Sequence, residues 1–132
     1  MKGQIKEAEV NASNIIEVIQ QGLAVRELAV LQGLLGVPME RLAPKLGISR
    51  ATLNRRMAKG RLEPEESDRL VRFARLMGKA TEVFETQGTA RLWLTSPQIG
   101  LGGAVPLDYA ETEVGAREVE DLLGRIEYGV YS

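Results

Sequence analysis

Neither cysteine nor histidine occurs among the 132 residues, and aromatic side chains are scarce at 5%. Without cysteine there can be no disulfide, no thiolate metal site and no thiol nucleophile. Without histidine the commonest general base and the commonest metal ligand are missing as well. No apolar run approaches the roughly 20 residues needed to span a bilayer. The opening stretch Met1-Lys-Gly-Gln-Ile-Lys-Glu-Ala-Glu9 lacks the apolar centre of a secretory signal. These absences argue against an enzyme, a metalloprotein or a membrane protein. The expectation is a cytoplasmic chain that needs no cofactor.

What is present is enough to fold. Hydrophobic residues make up 44% of the chain, far from a disordered composition, and the length suits one compact domain or two small ones. A net charge of −1 hides a polarity along the chain. Arg41, Lys45, Arg50, Arg55, Arg56, Lys59 and Arg61 follow one another with no carboxylate from Arg41 to Arg61. From Asp108 to Tyr128 the balance reverses: Asp108, Glu111, Glu113, Glu118, Glu120, Asp121 and Glu127 face only Arg117 and Arg125. The acidic run reads either as a second interaction surface or as the solvated outer face of a helix.

Apolar spacing predicts an all-α chain. Ser13 is placed to cap a helix through Gln21 that Gly22 ends. A second helix is expected from Leu23 to Leu35, partly burying Val25, Leu28, Ala29, Leu31, Leu34 and Leu35. Gly36-Val37-Pro38 breaks it, and Pro38 suits the first turn of a third helix reaching Lys45. There Met39, Leu42 and Ala43 fall at core spacing with Leu46, and Pro44 is expected where no amide bond is lost. Glu63-Pro64-Glu65-Glu66 opens a long helix with carboxylates at its positive end. Leu70, Val71, Phe73, Ala74, Met77 and Val83 form its apolar side, to about Phe84. A break is expected at Gln87-Gly88, then a helical turn with Ala90, Leu92, Trp93 and Leu94. Phe84 and Trp93 read as core. A glycine-rich loop, Gly100 to Gly103, precedes a short helix at Pro106, and a last helix spans Glu113 to Tyr128. In that helix Val119, Leu122, Leu123 and Ile126 are the buried set.

Met39 to Lys59 has the pattern of a helix-turn-helix, with its turn at Gly47 and a second helix, from Arg50, capped by Ser49. At 100° per residue, Leu53 and Met57 share the core side of that second helix with Ile48 of the turn. Ala51, Asn54, Arg55 and Ala58 point outward, bordered by Thr52 and Lys59. Asn54 and Arg55 can make bidentate contacts with base edges in a major groove. Arg50, Arg56 and Lys59 suit phosphates. Basic charge on this motif predicts duplex DNA as a partner.

The segments Leu101-Gly-Gly-Ala-Val-Pro-Leu-Asp108 and Thr112-Glu-Val-Gly-Ala-Arg-Glu-Val-Glu-Asp-Leu-Leu-Gly-Arg-Ile-Glu-Tyr-Gly-Val-Tyr-Ser132 resemble the antitoxin of RES–Xre toxin–antitoxin systems. They match its Xre/MbcA/ParS toxin-binding domain, and a helix-turn-helix lies upstream in the same order. The resemblance covers roughly the last 110 residues of the chain. It implies an antitoxin that covers the NAD site of a RES-domain toxin and represses its own operon, as a homodimer within a larger toxin–antitoxin complex. The competing reading is a stand-alone repressor whose C-terminal part only dimerises. The expected division is an N-terminal segment 1–22, a helix-turn-helix region 23–62 and a helical toxin-binding domain 63–132.

On that reading the toxin-binding set lies at the chain's end: Gly124, Arg125, Tyr128, Gly129, Val130, Tyr131 and Ser132. Gly124 and Gly129 each cost about 1 kcal/mol in a helix relative to alanine. Gly124 is therefore expected to admit another backbone, and Gly129 to end the helix in a left-handed cap. Tyr128 and Tyr131 either anchor a partner or fold back over the chain's own core. Arg125 is expected to pair with Asp121, one turn earlier, with a partner carboxylate as the alternative. The Gly100–Gly103 loop lacks the flanking strand and the Lys-Ser/Thr of a phosphate cradle, so it reads as a tight turn.

Overall fold

A computed structural model of the chain describes residues 12–129. Apart from one isolated antiparallel bridge between Ala24 and Arg61, the regular structure among these residues is helical, as expected. The helices are α1 (Ala12–Gln21), α2 (Arg26–Leu35), α3 (Met39–Lys45), α4 (Arg50–Lys59), α5 (Pro64–Phe84), α6 (Gln87–Leu94), α7 (Pro106–Tyr109) and α8 (Glu113–Glu127), with a 3-10 turn at Ile99–Leu101. The chain divides into two compact units, Met1–Val71 and Arg72–Ser132.

In the first unit α1 begins at Ala12, which puts Ser13 inside the helix rather than at its cap. Leu23 does not start a helix as its apolarity suggests. Its backbone is paired instead: the Leu62 amide donates to the Leu23 carbonyl at 2.8 Å, and the Leu23 amide donates to Ser67 Oγ at 2.8 Å. Ser67 is fully buried, and its hydroxyl donates to the Glu63 carbonyl at 2.9 Å. With these groups satisfied, α2 starts only at Arg26; it buries Glu27, Leu28, Leu31 and Leu35, while Ala29 is exposed. Gly36, left-handed at φ 67°, closes α2, and Pro38 stands at the N-cap of α3 rather than within its first turn. Pro44 lies inside α3. Contrary to expectation a helical bond is lost there, because proline brings no amide to the Glu40 carbonyl. The loss falls on the exposed side of a seven-residue helix, where water can replace it.

The turn of α5 next to its start belongs to the first unit, which carries that unit nine residues past the expected boundary at Leu62. Glu66 Oε1 reaches back to accept the Glu63 amide at 2.8 Å, closing the helix start as a capping box does.

In the second unit the remainder of α5 buries Phe73, Ala74, Leu76, Met77 and Ala80. The helix stops at Glu85, whose φ of 72° is left-handed, and Thr86 caps α6 by accepting the Thr89 amide at 3.1 Å. Gln87 and Gly88 are thus the first residues of α6 and not the break. Phe84 and Trp93 are half-buried; they meet each other at 5.6 Å between ring centroids rather than filling the core. α7 packs on α8. Gly115 makes that contact possible: a Cβ there would lie 1.7 Å from the Tyr109 carbonyl oxygen. Along α8 the buried residues are Gly115, Ala116, Val119, Leu122 and Leu123.

Candidate functional site

Two surfaces carry the chemistry, one in each unit. In the first, α3 and α4 meet across the turn Leu46–Ser49, where Gly47 takes φ 77°. A side chain at Gly47 would meet the guanidinium of Arg69, 2.6 Å from its Cβ, and that guanidinium donates to the Leu46 carbonyl at 3.1 Å. Ser49 caps α4 as expected, accepting the Thr52 amide at 3.2 Å, and Gly60 ends it at φ 86°. Ile48 is buried beneath the turn, but no residue of α4 itself is. Leu53 is half-buried, and Met57, expected in the core, is 62% exposed. Between α3 and the start of α4 lies a groove of about 690 Å³ whose walls include Ala43, Pro44, Ile48, Arg50, Leu53 and Asn54.

The outward residues of α4 sort into three kinds. Arg50, Asn54 and Arg55 are exposed, and Arg55 Nη2 rests on Thr52 Oγ1 at 3.1 Å. That oxygen also accepts from Ser49 Oγ at 3.0 Å, so half-buried Thr52 works as a bracket for its neighbours. Lys59 pairs with Glu63 at 3.0 Å in the open. Arg56 is turned inward. Its Nε and Nη2 donate to the two oxygens of Glu66 at 2.8 and 3.0 Å, a fork-to-fork pair. The expected phosphate role of Arg56 is therefore corrected: with its fork filled, it fastens α4 to α5.

Glu66 feels opposed influences. Burial pushes its carboxyl up, but the Arg56 hydrogen bond, the Glu63 amide and the charges of Arg56 and Arg69 outweigh this and hold it below the ordinary range. The Glu66 hydrogen bond in turn raises Arg56 further above its usual value, against a smaller opposing effect of burial. The uninterrupted basic block of the sequence is thus partly neutralised by carboxylates that follow it. Arg61, at its end, donates to the Gly22 carbonyl.

The second surface is the outer face of α8. Val114, Glu118, Asp121, Arg125 and Tyr128 recur at spacings of four and three and are all exposed, opposite the buried set. Val114 at 75% and Tyr128 at 79% exposure leave an apolar group at each end of this charged stripe. Sequence reasoning missed Val114, although it falls out of register with Val119, Leu122 and Leu123. Beside the stripe, a Cβ added to Gly124 would meet no atom within 4 Å. The expected Arg125–Asp121 pair does not form among the described residues. The ion pairs of α8 are instead Arg117–Glu113 at 3.4 Å and Glu127–Lys79 at 3.0 Å. Gly129 follows the helix at φ 74°. Val130, Tyr131 and Ser132 lie outside the described residues.

The model of the antitoxin Xre-like helix-turn-helix domain matches residues 15–75, and that of the antitoxin Xre/MbcA/ParS C-terminal toxin-binding domain matches residues 79–129. An Antitoxin Xre from Yersinia enterocolitica (serotype O:8 / biotype 1B) is 38% identical over 120 residues, covering 89% of this chain and 81% of that protein. The chain belongs to the Xre antitoxin family. Another Antitoxin Xre, from Photorhabdus laumondii, is 39% identical over 88 residues, 65% of this chain and 60% of its own length. A Sphingobium protein named "Prs ADP-ribosylating antitoxin" is 28% identical over 127 residues, covering 89% of this chain and 80% of the relative. Both surfaces fall within the matched regions of the Xre architecture: α3 and α4 in the helix-turn-helix domain, α8 in the C-terminal one. Among the described residues no helix is long and apolar enough to cross a membrane, and no group of three or more acidic residues is placed to hold a metal ion.

Proposed function

We propose that this Xre-family antitoxin neutralises a RES-domain, NAD-degrading toxin and represses its own operon. The observation that carries the toxin half is the unpartnered face of α8. Its exposed Val114 and Tyr128, and the open space above Gly124, suit a partner backbone laid along the helix. Arg125, exposed on the same stripe, is available for a carboxylate of that partner. The name of the Sphingobium relative joins an antitoxin to ADP-ribosylation, a transfer that takes its ADP-ribose from NAD, which supports an NAD-consuming toxin. In this reading Gly129, Val130, Tyr131 and Ser132 belong to the same toxin-binding set, and the interface covers the toxin's NAD site.

Repression rests on α4. Arg50, Asn54 and Arg55 are exposed on it, Thr52 steadies Arg55, and the groove beside them leaves room for a strand of DNA. A homodimer placing two such helices one turn of DNA apart, about 34 Å, would read a palindromic operator. Co-expression tests both halves. The chain should restore growth to cells producing a cognate RES-domain toxin, and should silence a reporter driven by the operon's promoter. Silencing without rescue would favour the stand-alone repressor; rescue without silencing would remove the DNA half.

A further inference from the structure

We propose that Glu63 restrains the DNA affinity of this protein by competing with DNA phosphate for Lys59. The inference rests on the reading of α4 as a DNA-binding helix and concerns how tightly that helix holds any duplex.

Two acid–base pairs join the end of α4 to the start of α5, and they differ in kind. The Arg56–Glu66 pair is bidentate and nearly out of solvent, with side chains 17% and 8% exposed. Phosphate cannot displace it without leaving Glu66 buried and unpaired. The Lys59–Glu63 pair is a single 3.0 Å contact with side chains 60% and 44% exposed. Pairs of this type are weak in water, and a lysine on its flexible stem leaves readily for a stronger anion. Lys59 is the last residue of α4, and the left-handed turn at Gly60 sends the chain back so that Glu63 stands beside it. A phosphate approaching Lys59 therefore meets a carboxylate already in possession of the ammonium. Binding must break that pair and hold two anions near each other, or forgo one counterion-releasing contact.

The test uses the full chain and a labelled random-sequence duplex, titrated over a range of KCl. Glu63→Gln should raise affinity about two- to five-fold at low salt and steepen the log–log salt slope by up to about 0.9. Glu63→Ser, which places a favoured cap residue before α5, should do the same; if one variant folds poorly, the other still decides. Glu65→Gln removes an equal charge from an exposed neighbour that holds no cation of α4 and should change little. In a Lys59→Ala background the gain from Glu63→Gln should largely vanish. An unchanged slope and affinity in both Glu63 variants, or an equal gain from Glu65→Gln, would overturn the proposal while leaving DNA binding intact. Failure of the unmodified protein to bind any duplex at low salt would instead remove the DNA-binding reading, and this inference with it.

Discussion

Arg55 and Arg56 are neighbours in the chain and face different surroundings. Arg55 is exposed and leans on the Thr52 hydroxyl, so several of its donors remain for a base edge. Arg56 has its fork filled by Glu66. Replacing Asn54 or Arg55 with alanine should cost about 1–3 kcal/mol in operator affinity and relax preference at one base pair. Arg56→Ala should instead lower the melting temperature and leave the salt slope of DNA binding unchanged. Because Glu66 is held below its unfolded value, about 4.3, its stabilisation is complete above that pH. It fades as pH falls through the lower folded value. Denaturant unfolding of the unmodified protein and of Glu66→Gln should accordingly differ at pH 7 and converge at strongly acidic pH; a gap that persists into acid would assign the effect to something other than this ionisation.

Helix boundaries in this chain follow local chemistry where a cap residue and a glycine bracket them. Ser49 and Gly60 enclose α4, and both were legible because each acts through the next turn of backbone. Leu23 and Arg56 were not. Their surroundings are set by residues far along the chain or on another helix: Leu62 and Ser67 for the first, Glu66 for the last. Periodicity likewise placed Val119, Leu122 and Leu123 on the buried side of α8, although Ile126 is only half-buried there, and it gives no signal for Val114, which lies off that register. Glycines on α8 give a sharp comparison at this scale. Gly115→Ala drives a methyl into the Tyr109 carbonyl and should destabilise the fold by about 1–3 kcal/mol or more. Gly124→Ala meets nothing and should stabilise the isolated protein by up to about 1 kcal/mol, yet weaken toxin inhibition if a partner backbone lies there. Thermal unfolding of both variants, with an inhibition assay on the second, checks this.

For the whole molecule, the two units carry surfaces of different chemistry, a basic helix-turn-helix with Arg56 and Lys59 already paired to carboxylates and an acidic helix with apolar ends. The opposed charge of the two halves was visible in composition, whereas the boundary between the units was not, because Glu66 and Ser67 serve the first unit from within a helix whose later turns belong to the second. Such a division predicts substitutions that separate the functions. Arg55→Ala should spare toxin inhibition, and Val114→Asp should spare operator binding. The most direct test measures NAD consumption by a purified cognate RES-domain toxin while this chain is titrated in. NAD turnover should be lost near stoichiometric addition, with Val114→Asp requiring at least ten-fold more protein (about 1.4 kcal/mol). Undiminished NAD turnover under a large molar excess of the unmodified chain would contradict the proposed function.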